Sequence, residues 1–329
     1  MLPLEPTPYS KDYEITDAMF GAFRSPGGMP FFWKLLGWGT LLFTVMGLLL
    51  IKPMLESYVD IIRIGIMVET DPDQAARMFG VIGQFFFQII LFLFGYTLGV
   101  ALIRAAFFRA YYYDDFGGTI PFKLGADEVR QFLAYLGFYA VIMVFILLLT
   151  LAVMIPSSII AAVSSGESVA VMVLIMIVLY IAMIAGYIWI GVRLSCASAL
   201  TAFNGRTHVL AARYVSKNRF WALFGSILVA GIMGYVASNI GTTLGMQLAF
   251  PDLSFAEYIK LSSGLDSEST LETLERLSES ASFNVMSVLA IILISVGYSF
   301  YNLLLSGPQA YFTRQWAESG AAAYEDSHP

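Results

Sequence analysis

Residues 132–154, FLAYLGFYAVIMVFILLLTLAVM, run for 23 positions without a charged side chain. Wound as an α-helix at about 1.5 Å per residue, the stretch is about 35 Å long, enough to cross the roughly 30 Å hydrocarbon core of a bilayer. A transmembrane strand needs alternation over about 10 residues. Neither this run nor 171–183, VMVLIMIVLYIAM, alternates, so helix is the expected state. Five further runs have comparable length, and the spans fall near 31–51, 81–103, 132–154, 169–192, 220–239 and 285–305. The sequence predicts an all-α polytopic membrane protein with one six-helix transmembrane domain over 31–308. A short interfacial helix is expected within 1–30, the outer loops at 52–80, 155–168 and 240–284, and a tail at 309–329.

The whole composition agrees with that window. Of 329 residues, 58% are apolar and 13% charged, and the mean hydropathy is +0.74. A soluble globule of this size needs far more charge to clothe its surface, and this excludes a soluble enzyme and a disordered chain. A net charge of −6 argues against nucleic acid as a partner. Cys196 is the sole thiol, so no intrachain disulfide forms. With His208 and His328 it makes three N/S donors, fewer than a four-ligand zinc site needs. No cofactor is expected.

Charge sorts across the predicted spans. Thirteen of the 18 basic residues fall on the side that holds both termini and five on the other, where 13 of the 24 acidic residues lie. The positive-inside rule then places both termini in the cytoplasm. Trp33, Trp38, Trp189 and Trp221 stand near the cytoplasmic ends of their spans, as interfacial anchors do. Residues 1–30 carry Glu5, Asp12, Glu14 and Asp17 and lack an apolar signal-peptide core, so span one is expected to act as a signal anchor.

Three segments share a spacing: Phe32 with Gly37, Phe132 with Gly137, and Phe220 with Gly225. Each follows a polar or amphipathic stretch, at 17–24, 126–131 and 206–217. The pattern suggests three parallel repeats of an interfacial helix plus two spans. In the outer loops, Leu55, Val59, Ile62 and Ile66 at helical spacing after Lys52-Pro53 predict a separate helix. So does the capping-box pair Ser269 and Glu272 for 269–278.

The stretch from Arg193-Leu194-Ser195 to Phe220-Trp221-Ala222-Leu223-Phe224-Gly225, with Ala211-Ala212 leading to Lys217 and Phe220-Trp221, resembles a broad bacterial group. That group comprises the membrane domain attached to some glycerophosphodiester phosphodiesterases and the stand-alone YciC-type inner-membrane proteins. Tyr13 to Phe23 is similar to the group's opening segment. The resemblance implies a six-helix inner-membrane protein and imports no phosphodiesterase activity, because that chemistry belongs to a separate His-containing domain.

Ionisable groups within spans mark proton and ion pathways, and the middles of the six spans contain none. The deep polar residues are Gln84 and Gln88, four apart on one helix face, Ser238 and Asn239, and Ser295 with Asn302. Gln84, Gln88, Asn239 and Asn302 are candidate intramembrane polar contacts, either lining a groove or hydrogen-bonding between helices. Gly95–Gly99 and Gly241–Gly245 fit a small-xxx-small pattern for close helix packing, the first within a span and the second in a loop. Arg206, Arg213 and Lys217, at i, i+7 and i+11, predict one basic face on a cytoplasmic helix. With Arg104, Arg193 and Arg219 they are candidate contacts for anionic lipid headgroups; Arg104 and Arg193 also suit snorkelling ends of spans. Asp114-Asp115 and Asp127-Glu128 form either an acid/base or metal pair, or loop charges paired with Arg109, Lys123 and Arg130. Tyr111-Tyr112-Tyr113 predicts an interfacial aromatic belt. Ser195 and Cys196 have no local base. The expectation is a non-enzymatic scaffold that organises lipids, a membrane-protein partner or further copies of itself, with a facilitator for a lipidic or weakly polar solute as the alternative.

Overall fold

The computed structural model describes residues 15–24, 26–68, 74–163, 169–217, 219–250 and 284–319. Among these it contains nine helices: α1 (Ile15–Met19), α2 (Gly28–Val68), α3 (Gln74–Tyr113), α4 (Ala126–Val163), α5 (Val169–Leu194), α6 (Ala197–Asn204), α7 (Ala212–Val215), α8 (Phe220–Ala249) and α9 (Val285–Glu318). Six of them, α2, α3, α4, α5, α8 and α9, are long and apolar enough to cross a membrane. The protein is an all-α bundle of polytopic membrane type.

Most of the long helices exceed the spans that hydropathy marks. α2 has 41 residues, about 60 Å, and runs straight through Lys52-Pro53, so no separate helix begins there. Its continuation has partners to hold it: Val59 is buried and Tyr58 meets Phe85 of α3 at 5.8 Å. α3 passes the expected end at 103 and reaches Tyr113. α9 continues through Pro308 to Glu318, because Phe312 and Thr313, expected in a tail, are fully buried. Residues 126–131 form the first turns of α4 rather than a separate interfacial helix. The stretch 206–217 holds only the single turn α7, after Gly205 ends α6 at φ 63°. The expected helix at 269–278 lies outside the described residues.

α9 is the axis of the bundle, in contact with α8, α2, α3, α1, α6 and α7. α4 packs on α3, α5 and α6, and α5 on α4, α7 and α8. Their outer faces carry exposed Met143, Leu147, Leu148, Leu174, Ile181 and Ile184. Such faces are stable against hydrocarbon.

α8 and α9 approach at backbone distance. A Cβ at Gly241 would stand 2.6 Å from the Leu293 carbonyl oxygen, one at Gly245 2.8 Å from that of Ala290, and one at Gly297 2.7 Å from the Ser238 Cα. The Gly241–Gly245 pair therefore lies inside a helix and packs it. Gly95 and Gly99 do the same for α3 against Met46 and Phe43 of α2. The spaced glycines of the three Phe-to-Gly segments differ in setting: Val209 crowds Gly137, whereas Gly37 and Gly225 face open space.

The tightest packing gathers at one end, where α2, α4 and α8 begin and α3, α5 and α9 end; we call it the basic end. Leu35, Ile103, Phe107, Phe108, Leu303 and Leu304 are buried there in one cluster, and Leu200, Leu223 and Phe312 in a second. The tyrosines expected as an aromatic belt partly serve as ties. Tyr112 donates to the Ala310 carbonyl at 3.2 Å, and Tyr113 to that of Phe203 at 2.8 Å. Lys34 and Trp38 of α2 donate to carbonyls of the 114–125 connection, Trp38 to Thr119 at 3.1 Å.

Candidate functional site

Two features of the basic end concentrate chemistry. The first is built on α3, where every residue from Gly99 to Ala110 is buried. Gly99, Ala101, Ala105, Ala106 and Ala110 thin the helix so that neighbours close around it, and they enclose two arginines. Arg104, nine residues and about 13 Å inside the end of α3, is 6% exposed. Its Nη1 donates to Gln309 Oε1 at 3.0 Å and its Nη2 to Asn302 Oδ1 at 3.4 Å, both on α9, while the guanidinium lies 5.1 Å from the Tyr135 ring of α4. Asn302 Nδ2 donates to the Tyr298 carbonyl at 2.9 Å and to Tyr96 Oη at 3.4 Å. The charge thus sits in a cage of neutral dipoles and an aromatic face, and its Nε has no partner among the described residues. Arg104 is enclosed by protein on α3, not at a snorkelling helix end.

Arg109, little more than one turn on, has the opposite surroundings. It pairs with Glu128, itself 3% exposed, donates to the Pro121 carbonyl at 2.9 Å, and has Asp115 3.8 Å from its Nε. Asp115 also pairs with Lys123, and that hydrogen bond holds its carboxyl below the ordinary range, helped by the Gly117 N–H. Asp127 pairs with Arg130 at 2.8 Å. Among the carboxylates weighed as an acid/base or metal pair, Asp115, Asp127 and Glu128 are engaged by cations, Glu128 in the interior rather than as a solvated loop charge. Among the described residues no group of three or more His, Cys, Asp or Glu is placed to hold a metal ion.

The second feature is an open cleft of about 410 Å³ between α4, α5, α8 and α9. Phe138, Ile142, Tyr187, Val192, Leu228 and Tyr301 are among its walls, and Gly191 of α5 and Gly231 of α8 lie on its surface. Arg193 follows Val192 at the basic end of this cleft. Its guanidinium lies 5.5 Å from the Trp189 ring and 5.8 Å from that of Phe220, which stacks at 6.2 Å on Phe224, another wall residue. Nη1 makes long contacts to the Arg213 carbonyl at 3.5 Å and Ser216 Oγ at 3.4 Å, and Nε has no partner among the described residues.

The other residues singled out by sequence are dispersed. Arg206, Arg213 and Lys217 are exposed, but on a bend, a single-turn helix and a turn, so no continuous helix aligns them. Arg219 is half-buried and donates to Gln315 Oε1 at 3.1 Å. Gln84 is exposed, whereas Gln88 is buried with its Oε1 unpartnered among the described residues. Asn239 is exposed and bonds back to the Tyr235 carbonyl at 2.8 Å. Sequence reasoning missed Gln309, placed in the tail at 309–329, and the buried Gln131, which exchanges hydrogen bonds with Ser198 of α6, Nε2 donating to the Ser198 carbonyl at 2.8 Å. No protein-family model, curated protein or solved structure matches the chain.

Proposed function

We propose that this chain is a non-enzymatic integral membrane protein of a bacterial inner membrane that organises lipid, and membrane proteins through it, from the cytoplasmic leaflet. The observation that carries the reading is the apolar cleft opening between the α4–α5 pair and the α8–α9 pair at the basic end. In a bilayer such a cleft faces hydrocarbon, and its natural occupant is a lipid chain. The loop carboxylates support a non-catalytic role, since Asp115, Asp127 and Glu128 are each engaged by an arginine or lysine. Kinship with the YciC-type group is part of the proposal and rests on the segment from Arg193 to Gly225.

The alternative, a facilitator for a weakly polar solute, draws on the buried hydroxyls of Thr40, Thr44 and Ser299 between α2 and α9, unpartnered among the described residues. Extraction in native-lipid particles followed by mass spectrometry separates the two. Lipid retained at fixed stoichiometry is the expected result. A protein that retains none, yet moves a solute saturably into vesicles, overturns the lipid reading.

A further inference from the structure

Two glycines on the wall of the cleft pack no neighbouring helix closely. Gly234, Gly241, Gly245 and Gly297 each bring a built Cβ within 3 Å of a neighbouring helix's backbone, so packing there opposes a side chain. Gly191 has nothing within 4 Å of that position, and Gly231 has only Leu305 Cδ2 at 3.9 Å. A helix-interior glycine costs roughly 0.5–1 kcal/mol relative to alanine, and here no helix contact offsets it. At these two positions the wall of the cleft carries no side chain.

The dimensions of that volume select an occupant. Along α8 its walls run from Phe224 to Tyr235, about 16 Å at 1.5 Å per residue and close to half of the roughly 30 Å hydrocarbon core. The 410 Å³ spread over that length has a mean cross-section of about 25 Å². A helix about 10 Å across needs about 80 Å², whereas a hydrocarbon chain packed at carbon separations of about 4 Å needs roughly 15–20 Å². The cleft has the length of a chain of one leaflet and a width close to that of a single hydrocarbon chain.

Charge selects the head. Between Glu167 and Asp252 the chain has no acidic residue, yet it has Arg193, Arg206, Arg213, Lys217 and Arg219. Arg193 stands at the basic mouth of the cleft, one aromatic pair from its wall, with its guanidinium beside the Arg213 carbonyl. Arg213 and Lys217 are exposed just beyond it. We propose that the cleft binds one anionic phospholipid, an acyl chain lying over Gly191 and Gly231 and the phosphate at Arg193, with Arg213 and Lys217 at the rim. The inference rests on the lipid reading above and assigns it a place and a headgroup.

The full chain in detergent, titrated with phosphatidylglycerol and with phosphatidylcholine of identical acyl chains and read by native mass spectrometry, tests it. Wild type is expected to retain one phosphatidylglycerol in preference to phosphatidylcholine. Arg193→Gln is expected to lower phosphatidylglycerol retention about fivefold, the factor for one basic side chain near a headgroup, and to leave phosphatidylcholine unchanged. Gly191→Leu and Gly231→Leu, on separate helices and without a close neighbour to displace, are expected to lower retention of both lipids. If both glycine variants keep lipid at the wild-type level, the cleft is not the site, although lipid binding elsewhere survives. Equal retention of the two lipids by wild type overturns the headgroup assignment. A wild-type protein that holds neither lipid overturns this inference together with the broader reading, and a stoichiometric protein helix crosslinked at Gly231→Cys in place of lipid overturns the occupant alone.

Discussion

Arg104 carries a full charge with only two amide oxygens and one aromatic face against it. Hydrogen bonds from a charged donor are worth about 1.5–3 kcal/mol each, and Arg104→Ala removes two and leaves Asn302 and Gln309 facing a void. The expected loss is on the order of 3–5 kcal/mol, measured as resistance to unfolding in mixed micelles. Arg104→Lys should recover little of it, since a single ammonium cannot span both amides in the guanidinium's fork. The neighbouring connection titrates differently. Asp115 is held ionised by Lys123, so its folded carboxyl has a lower pKa than in the unfolded chain. Its stabilisation is present above the unfolded value of about 3.9 and fades as pH falls through the folded one. Wild type should therefore lose more thermal stability than Asp115→Asn between pH 5 and pH 3. The difference will be small, because the Lys123 side chain is 53% exposed and water screens the pair. A steeper acid loss in the variant contradicts the assignment.

Helices in this protein are placed by lipid and trimmed by protein. The six apolar runs were legible because a run of about 20 apolar residues has one stable form in hydrocarbon. Their ends were not, because hydropathy registers where the bilayer stops and not where a neighbouring helix takes over. α3 continues past Ile103 because Phe107, Phe108 and Ala110 meet α2 and α9, and that continuation moves Arg104 from a rim to an interior. Asn302 could be singled out as a deep polar residue, but Gln309, its partner around Arg104, fell in the stretch expected as a tail, and α9 continues through Pro308 to include it. Arg193 was visible as a candidate cation, whereas the cleft beside it exists only in three dimensions. The glycines allow a direct comparison between elements. Gly241→Ala drives a Cβ into the Leu293 carbonyl and should cost about 1–3 kcal/mol. Gly225→Ala, on the same helix with open space around it, should gain about 0.5–1 kcal/mol. Melting temperatures of the two variants moving the same way would mean that α8 and α9 do not meet as described.

At the scale of the whole molecule, packing and charge are polarised together: the buried clusters, the two enclosed arginines and the cleft mouth all lie at the basic end. A cytoplasmic position for that end requires the stretch 240–284 to be outside. A reporter fused after Ser267 should then be active only on the outer face, and activity in the cytoplasm would invert the topology. The axial position of α9 also bears on how the bundle is made. It is the last of the six long helices to leave the ribosome, and 172 residues separate its first residue, Val285, from Tyr113 at the end of α3. Gln309 follows Tyr113 by 196 positions, so at about 5–20 residues per second α3 waits roughly 10–40 s in the membrane before Asn302 and Gln309 exist to receive Arg104. Throughout that interval the nascent chain holds a cation without its acceptors and glycine-lined surfaces without their counterparts. The enclosure of Arg104 is therefore complete only when α9 is in place.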